Sequence, residues 1–191
     1  RCSGLTEIET APSTLVTMAE WVALLRGVNV GGITVRSVDL KALFTDLGFT
    51  EVRTVLASGN VVFSTEGDRA RLKSGIETAL RERFGYDAWI VLVSREEVAA
   101  AVAGFPFDAS DPGRQPWVIF CSEEAVRREL LDGASDFDPL TDPVAEGDKV
   151  IYWNPVTGAS TSTTFAKLLA KPRYKATTTN RNLRTLQKIV G

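Results

Sequence analysis

Two apolar patterns alternate along the chain. Trp21-Val22-Ala23-Leu24-Leu25 is apolar at consecutive positions, the mark of a strand in the middle of a sheet. Ser37 then offers an N-cap, Leu40, Leu43, Phe44 and Leu47 recur at helical spacing, and Gly48 supplies a stop. A second strand is expected over 51–57. Ser58-Gly59-Asn60 is turn chemistry and Val61-Val62-Phe63 a third strand, which makes a hairpin. Asp68 caps a second helix with Leu72, Ile76, Ala79 and Leu80 on one face and Gly85 after it, and Trp89–Val93 is a fourth strand. Strand, helix, two strands, helix, strand is the ferredoxin-like unit.

The same grammar returns downstream. Ser94 with Glu97 forms a capping box ahead of a helix carrying Val98, Ala101, Val102 and Phe105. The Pro-, Asp- and Gly-rich stretch from Pro106 to Pro116 is the natural boundary. A strand over 117–121, a helix over 122–131 and an acidic loop follow, then a hairpin about Gly147-Asp148 and a helix over 160–170 stopped before Pro172. A Thr-rich segment and a last helix over 181–190 close the chain. The fold expected is α+β, two ferredoxin-like (βαββαβ-type) antiparallel-sheet subdomains in tandem. The first covers 18–105 with its connecting helix, the second 106–191. Residues 1–17 mix Thr, Ser, Glu and Pro without periodicity, and Met18 is the sole methionine. The expectation is that 1–17 are an extension or remnant outside the fold.

Topology then places chemistry. A ferredoxin-like sheet has the spatial order 4-1-3-2, so its first two strands point the same way. The loop after the first strand, Arg26–Gly32, and the turn Ser58–Asn60 should therefore meet at one end of the sheet. Together they offer one cation, two side-chain amides, a hydroxyl and four glycines. Glycines satisfy positive φ and Asn side chains tie down turns, but the same groups also make a rim for an anion.

Charge adds a third partner. Net charge is −2, which speaks against a general polyanion binder, yet the distribution is lopsided. From Lys167 to Gly191 there are seven Lys or Arg and no Asp or Glu, whereas acids crowd the stretch from Glu123 to Asp148. Thr177–Asn180 is read as the start of the last helix, where hydroxyls and free N–H groups favour anions. The expected binding residues are thus Arg26, Asn29, Gly31, Gly32, Ser58, Gly59, Asn60, Thr179, Arg181 and Asn182, around a small anionic or phosphate-bearing ligand.

Composition removes most catalytic schemes. There is no histidine, which excludes Ser-His-Asp and Cys-His catalysis and His-ligated zinc. Of the two cysteines, Cys2 lies in the unpatterned tail and Cys121 ends an apolar run, so Cys121 reads as a small buried hydrophobe. No nucleophile elbow, Walker loop, dinucleotide fingerprint or metal-ligand spacing is present. No catalytic residue, cofactor or metal is expected. Nor is nucleic acid, since the central strands carry Trp21 and Phe63 without a clustered aromatic and basic signature. No run approaches the roughly 18 apolar residues of a membrane span, and a cytoplasmic location is expected from the sparse cysteines. An interaction protein without a small-molecule site, a histidine-independent enzyme and a weak RNA-binding module are the competing readings.

Three segments carry a resemblance. Ala23-Leu24-Leu25-Arg26-Gly27-Val28-Asn29-Val30-Gly31-Gly32 is the first. The second is Leu47-Gly48-Phe49 leading through Val52-Arg53-Thr54 to Ser58-Gly59-Asn60-Val61-Val62-Phe63. The third is Arg181-Asn182-Leu183-Arg184-Thr185. Together they resemble the bacterial domain-of-unknown-function family numbered 1697, from Met18 to the end. Members commonly show Arg-Asn-Trp-Asn-Thr at the third segment, where this chain has Leu183 and Arg184. The resemblance implies two ferredoxin-like halves in a cytoplasmic bacterial protein, and no established activity.

Overall fold

The computed structural model describes residues 18–27, 35–56, 59–85 and 87–191. The first half runs β1 (Ala19–Arg26), α1 (Ser37–Asp46), β2 (Thr50–Thr54), β3 (Asn60–Thr65), α2 (Arg69–Phe84) and β4 (Trp89–Ser94). Its antiparallel sheet has the order β2-β3-β1-β4, the arrangement the element order implies. After α3 (Arg95–Ala103) comes the second half: β5 (Trp117–Cys121), α4 (Glu124–Asp132), β6 (Val144–Glu146), β7 (Val150–Trp153), α5 (Thr164–Leu169) and β8 (Thr178–Asn182), with α6 (Leu183–Val190) at the end. Its sheet has the order β6-β7-β5-β8. The chain is therefore α+β with two ferredoxin-like halves in tandem.

Helix ends follow local chemistry. The Asp68 carboxylate accepts from the N–H groups of Ala70 and Arg71, and Gly85 closes α2 in the left-handed region at φ 68°. Ser94 and Glu97 form the capping box of α3. Among the described residues, no helix is long and apolar enough to cross a membrane.

Three apolar layers explain why the central strands are continuous apolar runs. Trp21, Ala23 and Leu25 of β1 point with Phe63 and Ile90 into a core beneath α1 and α2. The intervening Val22 and Leu24 point the other way, into a middle core with Val91, Val118, Phe120 and Tyr152. That middle layer lies between the two sheets and is completed by α3 and by Leu183, Leu186 and Ile189 of α6. Ile119, Ile151 and Trp153 face a third core under α4 and α5. Strand residues that alternate between two buried faces show no polar alternation. Trp21 and Phe63 are buried, so neither ring can stack on a base.

One element corrects the sequence reading. Thr177–Asn180 does not open the last helix. Thr178–Asn182 is a strand paired antiparallel with β5, from Cys121↔Thr178 to Trp117↔Asn182. The helix starts at Leu183 with Asn182 as its N-cap. Threonine suits a pleated, half-buried surface, and the strand supplies the fourth member of the second sheet.

Candidate functional site

The ends of β1 and the β2–β3 hairpin meet as the topology requires. Leu24 is paired with Asn60 across the ladder, and the Leu25 N–H donates to the Gly59 carbonyl at 2.9 Å. Gly27 and Gly59 both sit at positive φ, 76° and 70°, which only glycine adopts cheaply. Both positions turn the chain sharply where the first sheet faces the second half. Asn29, Gly31, Gly32 and Ser58, expected in the same rim, lie outside the described residues.

From the other sheet, β8 brings Arg181 to this corner. Its Nε donates to Asn60 Oδ1 at 2.5 Å and its Nη2 to the Leu25 carbonyl at 2.5 Å and the Gly59 carbonyl at 3.4 Å. Its Nη1 donates to Thr179 Oγ1 at 2.7 Å and the Asn180 carbonyl at 2.9 Å. Asn60 is itself fixed, donating through Nδ2 to the Val55 carbonyl at 2.8 Å. Arg181, Asn60 and Thr179 are all buried. Arg181 is thus a cross-link between the halves, its fork filled by acceptors that the strand ends present.

Arg26 reaches the opposite way, from the first half into the second. Its Nη1 donates to the Thr178 carbonyl at 2.7 Å, to Thr178 Oγ1 at 2.6 Å and to the Tyr174 carbonyl at 3.5 Å. The Thr178 hydroxyl in turn donates to the Tyr174 carbonyl at 2.9 Å. All three of Arg26's bonds use one nitrogen, so Nε and Nη2 have no hydrogen-bond partner among the described residues. The Arg26 side chain is half-buried and borders a recess of about 160 Å³ with Ser160, Thr178, Thr179 and Asn180, floored by Ile119, Trp153, Ala166 and Leu169.

Electrostatics makes this corner positive. Burial, and after it the charge of Arg26, lowers the Arg181 pKa to about 10. Burial likewise lowers that of Arg26. Two guanidinium groups therefore press on each other in a partly desolvated place. The partners named here are amide, hydroxyl and carbonyl oxygens, which bind and orient but do not transfer protons near neutrality.

Asn182, the remaining expected residue, accepts the Arg184 N–H at 3.0 Å and caps α6. Sequence reasoning singled out the segment that holds Thr178 but missed Tyr174, whose carbonyl joins the Thr178 carbonyl and hydroxyl in holding Arg26. Cys121 is half-buried, and burial pushes its thiol up to about 12, a structural rather than a nucleophilic setting. Among the described residues, no His, Cys, Asp or Glu cluster could hold a metal ion.

Fold and corner together define a tandem ferredoxin-like protein whose halves are pinned by paired arginines. A family model described as "Protein of unknown function (DUF1697)" matches residues 18–152, and the chain belongs to that family. The chain is also similar to a solved structure, the conserved bacterial protein SP0830 from Streptococcus pneumoniae. The two share 24% identity with a TM-score of 0.76, over 91% of this chain and 97% of that one, a likeness of fold. No curated protein matches the sequence. Leu183 is buried in the middle core, so it is a packing position.

Proposed function

We propose that the protein is a binding module for a small anionic or phosphate-bearing ligand, held at Arg26 between the β1 end and β8. The observation that carries this reading is the Arg26 guanidinium. It is half-buried, anchored through Nη1 alone and set on a recess whose polar wall is Ser160, Thr178, Thr179 and Asn180. A guanidinium anchored at one corner keeps a planar edge for two parallel bonds to a carboxylate or phosphate. The charge of Arg181 adds to the attraction, and an anion would offset the Arg26–Arg181 repulsion that, after burial, lowers the Arg181 pKa. Asn29, Gly31, Gly32, Ser58 and Gly59 belong to the same proposed rim, whereas Asn182 supports it only as the cap that orients α6.

The test is thermal unfolding with inorganic phosphate, sulfate and acetate at constant ionic strength. An anion at a hundredfold excess over its dissociation constant raises stability by ~2.7 kcal/mol. Arg26→Met should abolish that shift; its ligand-free melting temperature should fall, because the bonds to Thr178 and Tyr174 go with the guanidinium, while Arg181 still joins the halves. Equal shifts in the wild type and Arg26→Met would sink the proposal.

A further inference from the structure

A cavity of about 690 Å³ shares no lining residue with the Arg26 recess. Its floor comes from both halves, Val91 and Val93 of β4 with Phe120 of β5 and Val150 of β7. Its walls are the first turns of α2 and α4, Glu97 of α3 and the β6–β7 turn. Such a volume with an apolar floor between two packed units is the usual setting of a small-molecule site.

The charges on the wall discriminate among ligands. Each cation there is already in an ion pair. Arg69 holds Glu97 at 2.7 Å and Lys149 holds the same carboxylate at 3.1 Å. Arg127 holds Glu124 and Glu146, both at 2.8 Å, and Lys73 is paired with Glu77. Asp68 is occupied as the cap of α2. By contrast, the lining carboxylates Glu123 and Asp148 make no ion pair among the described residues, and the Glu123 side chain does not cap α4. An anionic ligand meets cations that already face carboxylates, whereas a cationic group meets two uncommitted carboxylates.

We infer that this cleft is a second binding site, for a small molecule carrying one basic nitrogen on an apolar, ring-containing body. The ring lies on the valine and phenylalanine floor and the ammonium lies towards Asp148 and Glu123. Because the floor joins β4 to β5 and β7, occupancy reports on, and supports, the packing of the two halves.

Three probes with one ring and different charge test this: tryptamine, indole-3-ethanol and indole-3-propionate. Each is titrated into the full chain and followed by amide chemical shifts. Tryptamine should perturb Val91, Val93, Phe120 and Val150 and bind about tenfold more tightly than indole-3-propionate, as one favourable charge contact allows. Asp148→Asn and Glu123→Gln, both on the surface, should shrink that preference without weakening indole-3-ethanol. The inference is overturned if no probe perturbs the floor, if the carboxylate binds as well as the amine, or if neither substitution changes the preference.

Discussion

Arg181 shows how much one side chain can fix. It is buried, yet its three nitrogens reach Asn60, the Leu25 and Gly59 carbonyls, Thr179 and the Asn180 carbonyl. Arg181→Met keeps the stem and withdraws the fork. Several buried acceptors then lose this donor at about 1–3 kcal/mol each before relaxation, so stability should fall by about 3 kcal/mol in urea unfolding. Arg181→Lys should recover little, because an ammonium cannot span acceptors set out for a planar fork. A loss below about 0.5 kcal/mol, the range of ordinary surface substitutions, would show that the cross-link is incidental. The residue types at this corner were legible from the sequence: topology brought Arg26 to Asn60, and charge asymmetry singled out Arg181. Their roles were not. Nothing in a sequence distinguishes an arginine that faces a ligand from one whose fork is filled by carbonyls of a distant strand.

Among the elements, β8 was the one the sequence hid. Strands β1, β3, β4, β5 and β7 announce themselves by apolar runs because each is covered on two faces. Thr178–Asn182 has no apolar residue, since its buried positions are filled by threonines and by Arg181. Hydrogen bonding does there what apolar packing does elsewhere, so no hydrophobic period exists to be read. A related polar clamp holds α4 to the β6–β7 hairpin: Arg127 is buried and ties Glu124 to Glu146 and the Gly147 carbonyl. The bond from Arg127 holds the Glu124 carboxyl down at about 2, with Arg128 adding to it. A folded value below the unfolded one stabilises above the ordinary carboxylate range and is lost as pH falls through the folded value. The stability gap between wild type and Glu124→Gln should therefore be constant above about pH 5 and close as pH falls towards 2. Melting temperatures across that range check it; a gap that persists at pH 2 would assign the effect to something other than the charge.

At the scale of the whole molecule, the middle core decides whether two similar halves behave as one. Val22, Leu24 and Val62 of the first sheet share it with Val118, Phe120 and Tyr152 of the second, and α6 fills the space between them. The end of α6 is held by the first half: Arg53 donates to the Ile189 carbonyl and Arg95 to the Val190 carbonyl, both at 2.6 Å. These are carbonyls a helix end leaves without intrahelical partners, and cations suit that end of the dipole. A helix that follows the second sheet in sequence but is capped by the first cannot detach without opening both. Leu186, fully buried on α6, is the position to probe, and Leu186→Ala should cost roughly 2–5 kcal/mol. Native-state hydrogen exchange then separates the possibilities. If the halves unfold together, amides of Val22 and Val62 and those of Val118 and Ile151 lose protection by the same amount. If only the second-half amides lose it, the middle core is a contact between two independent folds and the arginine cross-links are what keep them adjacent.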